Sequence, residues 1–204
     1  MGLSIPFQHF QGRFKAGPAV TEDQKASNTS LKSFAAYLNG LTPAVPGLDL
    51  GRLDQDLDAG LHFESNIPQG FGVGSSGALV AAVYEQYGPQ NLDLSTALQD
   101  PDAIQDIKAR LGRMESFFHG RSSGMDPLIC YLKIPMLMDR DRRLGQVTLP
   151  REAPDGQGAI FLLNTGQPGE TQPLVSVFLE KLKHEGFRQM IRQEFNQYNN
   201  ECIK

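Results

Sequence analysis

The stretch Ile67-Pro68-Gln69-Gly70-Phe71-Gly72-Val73-Gly74-Ser75-Ser76-Gly77-Ala78 joins a glycine-rich loop to the start of a helix. Glycines at alternate positions remove side chains, so that backbone N–H groups can close on an anion. The helix start adds unpaired donors and the positive end of its dipole. The stretch therefore reads as a phosphate-binding loop, and the question is which kind. A Walker A loop needs Lys followed by Ser or Thr, and no Lys lies between Ser65 and Gly88. A dinucleotide fingerprint counted from Gly70 puts Ser75 where its third glycine belongs, which weakens a Rossmann reading. What remains is Pro-x-Gly-x-Gly-x-Gly-Ser-Ser-Gly, with two consecutive hydroxyls that can donate to phosphate or coordinate a hard cation. The plainer alternative is a glycine-rich turn capped by Ser75 or Ser76. Three glycines, paired serines and the small residues Gly77, Ala78, Ala81 and Ala82 exceed what a turn needs, and they let a ligand or a neighbouring helix approach the first turns.

Outward from the loop, Leu61 to Ile67 alternates as a strand, and Ser75 to about Tyr87 reads as a helix stopped by Gly88-Pro89. A second long helix is expected from Pro101 to His119, with Asp100 as N-cap, Pro101 at the first position and Gly120 just past the end. Ile104, Ile107, Leu111, Met114 and Phe118 form its apolar stripe. At about 100 degrees per residue Glu115 projects near Ile104, at the edge of that stripe and away from Arg113. A carboxylate there needs a partner; a helix-edge Glu that reaches water or an arginine is the simple alternative. Upstream, Gly2 to Phe14 suggests a strand or two, Thr29 to Gly40 a helix, and Leu41 to Leu50 a loop. Downstream, Leu128 to Met138 reads as a buried strand with a hairpin partner around Gln146 to Leu149. The polar, Pro- and Gly-containing stretch 151–158 is the expected domain boundary, dividing 1–152 from 158–204. Ala159 to Asn164 reads as a strand, Thr165 to Pro173 as a loop, and Leu174 to Lys183 and Phe187 to Tyr198 as helices.

Bulk properties narrow the function classes. The 204 residues are 40% hydrophobic and 21% charged, enough for a buried core. A net charge of -4 and a pI near 5.6 argue against nucleic acid as a partner. Cys130 and Cys202 lack CxxC spacing, so neither a zinc site nor a disulfide framework is suggested. No signal-type N-terminus and no apolar run near the roughly 18 residues of a span is present. The expected setting is cytoplasmic, with no membrane partner.

The loop pattern resembles the second motif of the GHMP kinase superfamily of small-molecule kinases. A second segment strengthens the resemblance: Glu115-x-x-x-His119-Gly120-x-x-Ser123-Gly124-x-Asp126 is similar to the stretch joining the metal-binding glutamate to the catalytic aspartate in mevalonate kinases. The resemblance implies ATP and Mg2+ as cofactors and a small-molecule alcohol such as mevalonate as substrate. It implies Asp126 as the catalytic base or orienting carboxylate, and Ser76 and Glu115 as magnesium ligands. Gly70, Gly72, Val73, Gly74, Ser75, Ser76, Gly77 and Ser65 fall at positions near the ATP phosphates or nucleotide. Read from the residues alone, His119 suits a helix C-terminus, Ser123-Gly124 is turn chemistry, and Asp126 ahead of Pro127 could equally cap a turn.

The implied fold is α+β: a GHMP kinase-type N-terminal domain, ribosomal protein S5 domain 2-like, followed by the start of a ferredoxin-like C-terminal domain. Phe161 to Thr171 is similar to the strand and turn that open that second domain. The family's first and third motifs are not found, so the chain is expected to be the middle of a longer enzyme. A sugar or phosphomevalonate kinase, an inactive nucleotide-binding protein, and association into a homodimer stay open as expectations.

Overall fold

The computed structural model describes residues 2–4, 10–89, 98, 100–139, 143–147, 166–169 and 171–203. The chain forms two compact units, one of residues 5–68 and 73–134, the other of 1–4, 69–72 and 135–204.

The first unit is helical around a short antiparallel ribbon. Strand β2 (Gly12–Lys15) pairs with β3 (His62–Ser65), Phe14 opposite Phe63 and Lys15 opposite His62. Helix α1 (Glu22–Asn39) packs on β3 and buries Leu31, Phe34, Ala35 and Leu38. It starts seven residues before the expected Thr29. Thr21 and Gln24 form a capping box there, each side chain accepting from the other's backbone N–H, and this outweighs the later Thr29 and Ser30. Inside the helix, the Thr29 hydroxyl donates to the Lys25 carbonyl and the Ser33 hydroxyl to the Thr29 carbonyl.

A loop follows as expected, but it ends at Asp49, whose carboxylate accepts from the Arg52 N–H and caps α2 (Leu50–Asp58). Strand β3 then leads through the glycine loop to α3 (Ser75–Tyr87), which ends at Gly88, as the sequence suggests. Helix α4 (Pro101–His119) also keeps its expected limits, with Asp100 accepting from the Asp102 N–H and the Gly120 N–H donating to the Ser116 carbonyl. Its buried stripe includes Ile104, Ile107, Leu111 and Met114, while Phe117 and Phe118 lie against Phe34 at ring distances of 5.3 and 5.4 Å.

The segment expected as a strand from Leu128 is instead helix α5 (Met125–Leu132). A short apolar run carries no period that separates a buried strand from a buried helix. Here Gly124 at φ 74° opens the helix, and Pro127 sits in the first turn, where no intrahelical N–H is lost. Leu128, Ile129 and Leu132 are buried, and α5 packs chiefly against α3 and α4.

In the second unit, β1 (Gly2–Ser4), β4 (Met136–Met138) and β5 (Leu144–Gln146) form an antiparallel sheet in the order β1-β4-β5. The expected hairpin thus exists, but both its arms are three residues long and its second strand begins earlier. Helices α6 (Thr171–Lys181) and α7 (Glu185–Met190) follow, then a π-helical turn (Ile191–Phe195) and α8 (Asn196–Ile203). Helix α6 starts inside the stretch expected as loop. The boundary at 151–158 and the strand at 159–164 lie outside the described residues. Among the described residues every strand pairing is antiparallel, and no helix is long and apolar enough to cross a membrane.

Candidate functional site

The glycine loop has the backbone its sequence calls for. Gly70, Gly72 and Gly74 have φ of 78°, 70° and 76°, left-handed values that L side chains rarely adopt. Gly74 is the N-cap of α3 and brings no side chain to cap its first turn. Gly72, Gly74 and Gly77 do keep a Gly-x-Gly-x-x-Gly spacing, but among the described residues no βαβ unit, which that motif requires, surrounds them. β3 is paired antiparallel to β2, and α3 packs on helices α4 and α5.

Ser76, in the first turn of α3, points its Oγ at α4. It lies 3.1 Å from Glu115 Oε1 and 2.9 Å from His119 Nε2. Glu115 is only 3% exposed, so the apolar-edge carboxylate is turned away from solvent, and serine hydroxyls hold it. Its second oxygen, Oε2, accepts a hydrogen bond from Ser122 Oγ. Burial pushes the Glu115 carboxyl above its ordinary value and nearby Asp126 adds to the rise, while the Ser122 and Ser76 hydrogen bonds and His119 oppose it.

Asp126 stands in the first turn of α5 and is exposed, in contrast to Glu115. Its backbone is pressed against α3: a Cβ on Gly77 would come within 2.9 Å of the Asp126 carbonyl carbon and Cβ and of the Pro127 nitrogen. Gly77 is therefore glycine because two helix starts meet there. On the far side, a side chain on Gly124 would run into the Lys108 carbonyl oxygen of α4. Cys130, one turn along α5, has its thiol pushed up to about 11 by burial and by the negative charges of Asp126 and Glu115, so it is a packing residue and a poor nucleophile.

The structure thus brings together Ser76, Gly77, Glu115 and Asp126 within the first unit. Ser75 and Val73 are half-buried beside them in sequence, whereas Gly70 belongs to the second unit, where its carbonyl accepts from the Gly169 N–H at 2.8 Å. Ser65 is exposed at the end of β3; its Oγ donates to the Gln11 carbonyl and accepts from the Ile67 N–H, closing the strand-to-loop turn. Two residues were not singled out by sequence. Ser122 gave only a turn signal, and His119 was read as a helix-end histidine although its ring meets Ser76.

The donor set suits a hard cation. Two oxygens bound to one magnesium at about 2.1 Å in octahedral geometry sit about 3 Å apart, close to the observed 3.1 Å between Ser76 Oγ and Glu115 Oε1. Among the described residues no group of three or more His, Cys, Asp or Glu side chains could hold a metal. One carboxylate plus one hydroxyl is the sparse protein set that magnesium accepts when phosphates and water fill the remaining positions.

A helix start without a side-chain cap, a hydroxyl and carboxylate in register, and an exposed carboxylate on a neighbouring helix are groups that a phosphoryl-transfer site can use. Residues 44–133 match the family model of the GHMP kinases N terminal domain, a span that contains Ser76, Glu115 and Asp126. The match covers just under half of the chain and supports membership of the GHMP kinase superfamily, and with it a small-molecule kinase that binds ATP. The helices and small sheets fit that family's α+β class. No curated protein and no solved structure matches the chain.

Proposed function

We propose that this chain carries the ATP and magnesium site of a GHMP-type kinase that phosphorylates a small-molecule alcohol, with mevalonate as the favoured substrate. The observation that carries the reading is the 3.1 Å approach of Ser76 Oγ to Glu115 Oε1 at the start of α3, with Asp126 held against Gly77.

In this reading the first turn of α3 offers backbone N–H groups and its positive dipole end to the nucleotide phosphates. Val73, Gly74 and Ser75 form the loop edge beside that turn, with Ser65 further out along the nucleotide. Ser76 and Glu115 hold the cation, which when bound screens the phosphate charge during transfer. Asp126 accepts the proton of the acceptor hydroxyl, or orients that hydroxyl, as its oxygen attacks the terminal phosphoryl group. Exposure divides the two carboxylates: Asp126 is open to a substrate, whereas Glu115 is buried, with Oε2 held by Ser122 and Oε1 turned toward Ser76.

Mevalonate is favoured by the spacing from Glu115 to Asp126, which is similar to that of mevalonate kinases. A sugar or phosphomevalonate acceptor would use the same residues with a different acceptor pocket. A coupled ADP-release assay with ATP, Mg2+ and a panel of mevalonate, phosphomevalonate, homoserine and galactose tests the proposal. Turnover on mevalonate that Asp126→Ala abolishes is the expected result. No turnover on any alcohol, with ATP bound, would remove the kinase reading from this chain.

A further inference from the structure

We propose that Ser122 is a positioning residue that fixes the Glu115 carboxylate for the cation and ties it to the helix carrying Asp126. The proposal rests on the reading of Glu115 as a cation ligand.

Ser122 lies in the bend between α4 and α5. Its Oγ has one proton, donated to Glu115 Oε2, and its lone pairs are left to accept from the Gly124 N–H at 2.9 Å. Gly124 is the N-cap of α5, two residues before Asp126. One hydroxyl therefore links the buried carboxylate of α4 to the start of α5. The bend is itself seated on α4: the Ser122 N–H donates to Ser116 Oγ at 3.3 Å, and Ser116 Oγ donates to the Gly112 carbonyl at 2.8 Å. Gly112 is buried beneath the bend, and a Cβ on it would lie 3.2 Å from Gly124 Cα and 3.4 Å from the Ser122 carbonyl oxygen.

The two oxygens of Glu115 thus have separate tasks. Ser122 occupies Oε2, which leaves Oε1 turned toward Ser76 and the first turn of α3. Without the Ser122 hydroxyl the carboxylate would be free to rotate, and a buried Oε2 would lose its donor. Outer-shell partners of this kind typically carry about 10- to 100-fold in metal affinity.

The test is a titration with Mn2+ alone, followed by loss of the free-ion electron paramagnetic resonance signal, on the full chain and on Ser122→Ala, Ser122→Cys, Ser122→Thr and Glu115→Gln. Circular dichroism checks that each variant is folded. Ser122→Ala, and Ser122→Cys with its weak donor in nearly the same volume, should bind Mn2+ about tenfold or more weakly. Ser122→Thr should restore binding, a rescue that lost packing alone would not give. If folded Ser122→Ala or Ser122→Cys binds like the parent while Glu115→Gln does not, the positioning role is wrong and the cation site stands. If Glu115→Gln also binds like the parent, the reading of Glu115 as a ligand fails, and this inference with it.

Discussion

Ser76 Oγ and Glu115 Oε1 lie 3.1 Å apart, joining the first turn of α3 to the last turns of α4. A buried carboxylate is costly in a protein with no use for it, because burial disfavours its charge and the Ser122 and Ser76 hydroxyls and His119 offset only part of the loss. That cost has a measurable pH signature. Burial raises the Glu115 carboxyl above its ordinary 4.5, so the native state holds its proton more tightly than the unfolded chain. The contribution to stability is full below the unfolded value and is lost as pH rises through the raised folded value. Glu115→Gln removes this titration. The melting temperature of the variant should therefore gain on that of the parent as pH is raised from 4 toward 7 without divalent cations. A difference that stays flat across this range would contradict it.

Gly77→Ala should separate α3 from α5, because its methyl would fall 2.9 Å from the backbone of Asp126. Overpacking of this kind costs about 1 to 3 kcal/mol, read by denaturant unfolding. Since Asp126 moves with the backbone that is pushed away, kcat should fall more than the affinity for ATP.

Gly124→Ala should be the more severe change. The residue sits at φ 74°, where an L side chain costs about 1 to 2 kcal/mol, and its methyl would also meet the Lys108 carbonyl oxygen. The expected outcome is a loss of more than about 2 kcal/mol of stability, measured by chemical denaturation.

Tyr87→Phe serves as a control away from the site. The buried Tyr87 hydroxyl donates to Asp56 Oδ2 at 2.8 Å, with Arg52 over its ring at 5.3 Å. Removing it should cost about 1 to 2 kcal/mol of stability and leave turnover per folded molecule unchanged.

The elements that present the site were legible because their ends are written in local chemistry. Gly88-Pro89 stops α3, and Asp100-Pro101 with Gly120 brackets α4. Glu115 was legible as an anomaly on an apolar face, though not its serine partners. Helix α5 was misread because the run after Leu128 is apolar in every direction, and packing against α3 and α4 decides its form. The start of α1 was missed because Thr29 can also open a helix, while the reciprocal bonds of Thr21 and Gln24 that fix the actual start lie upstream of it. Ser122 could not be found from sequence. Its i to i+2 bond to Gly124 reads as an ordinary turn, and its bond to Glu115 crosses the end of a helix, a tertiary relation that no spacing rule encodes.

The central claim is that α3, Ser76 and Glu115 together bind magnesium-ATP. Calorimetric titration of ATP, with Mg2+ and then with EDTA, tests it most directly in the parent chain and in Glu115→Gln. The account predicts that the parent binds ATP more tightly with Mg2+, and that Glu115→Gln keeps the metal-free affinity while losing the magnesium increment. Equal magnesium increments in both proteins, or no ATP binding by the parent, would contradict it.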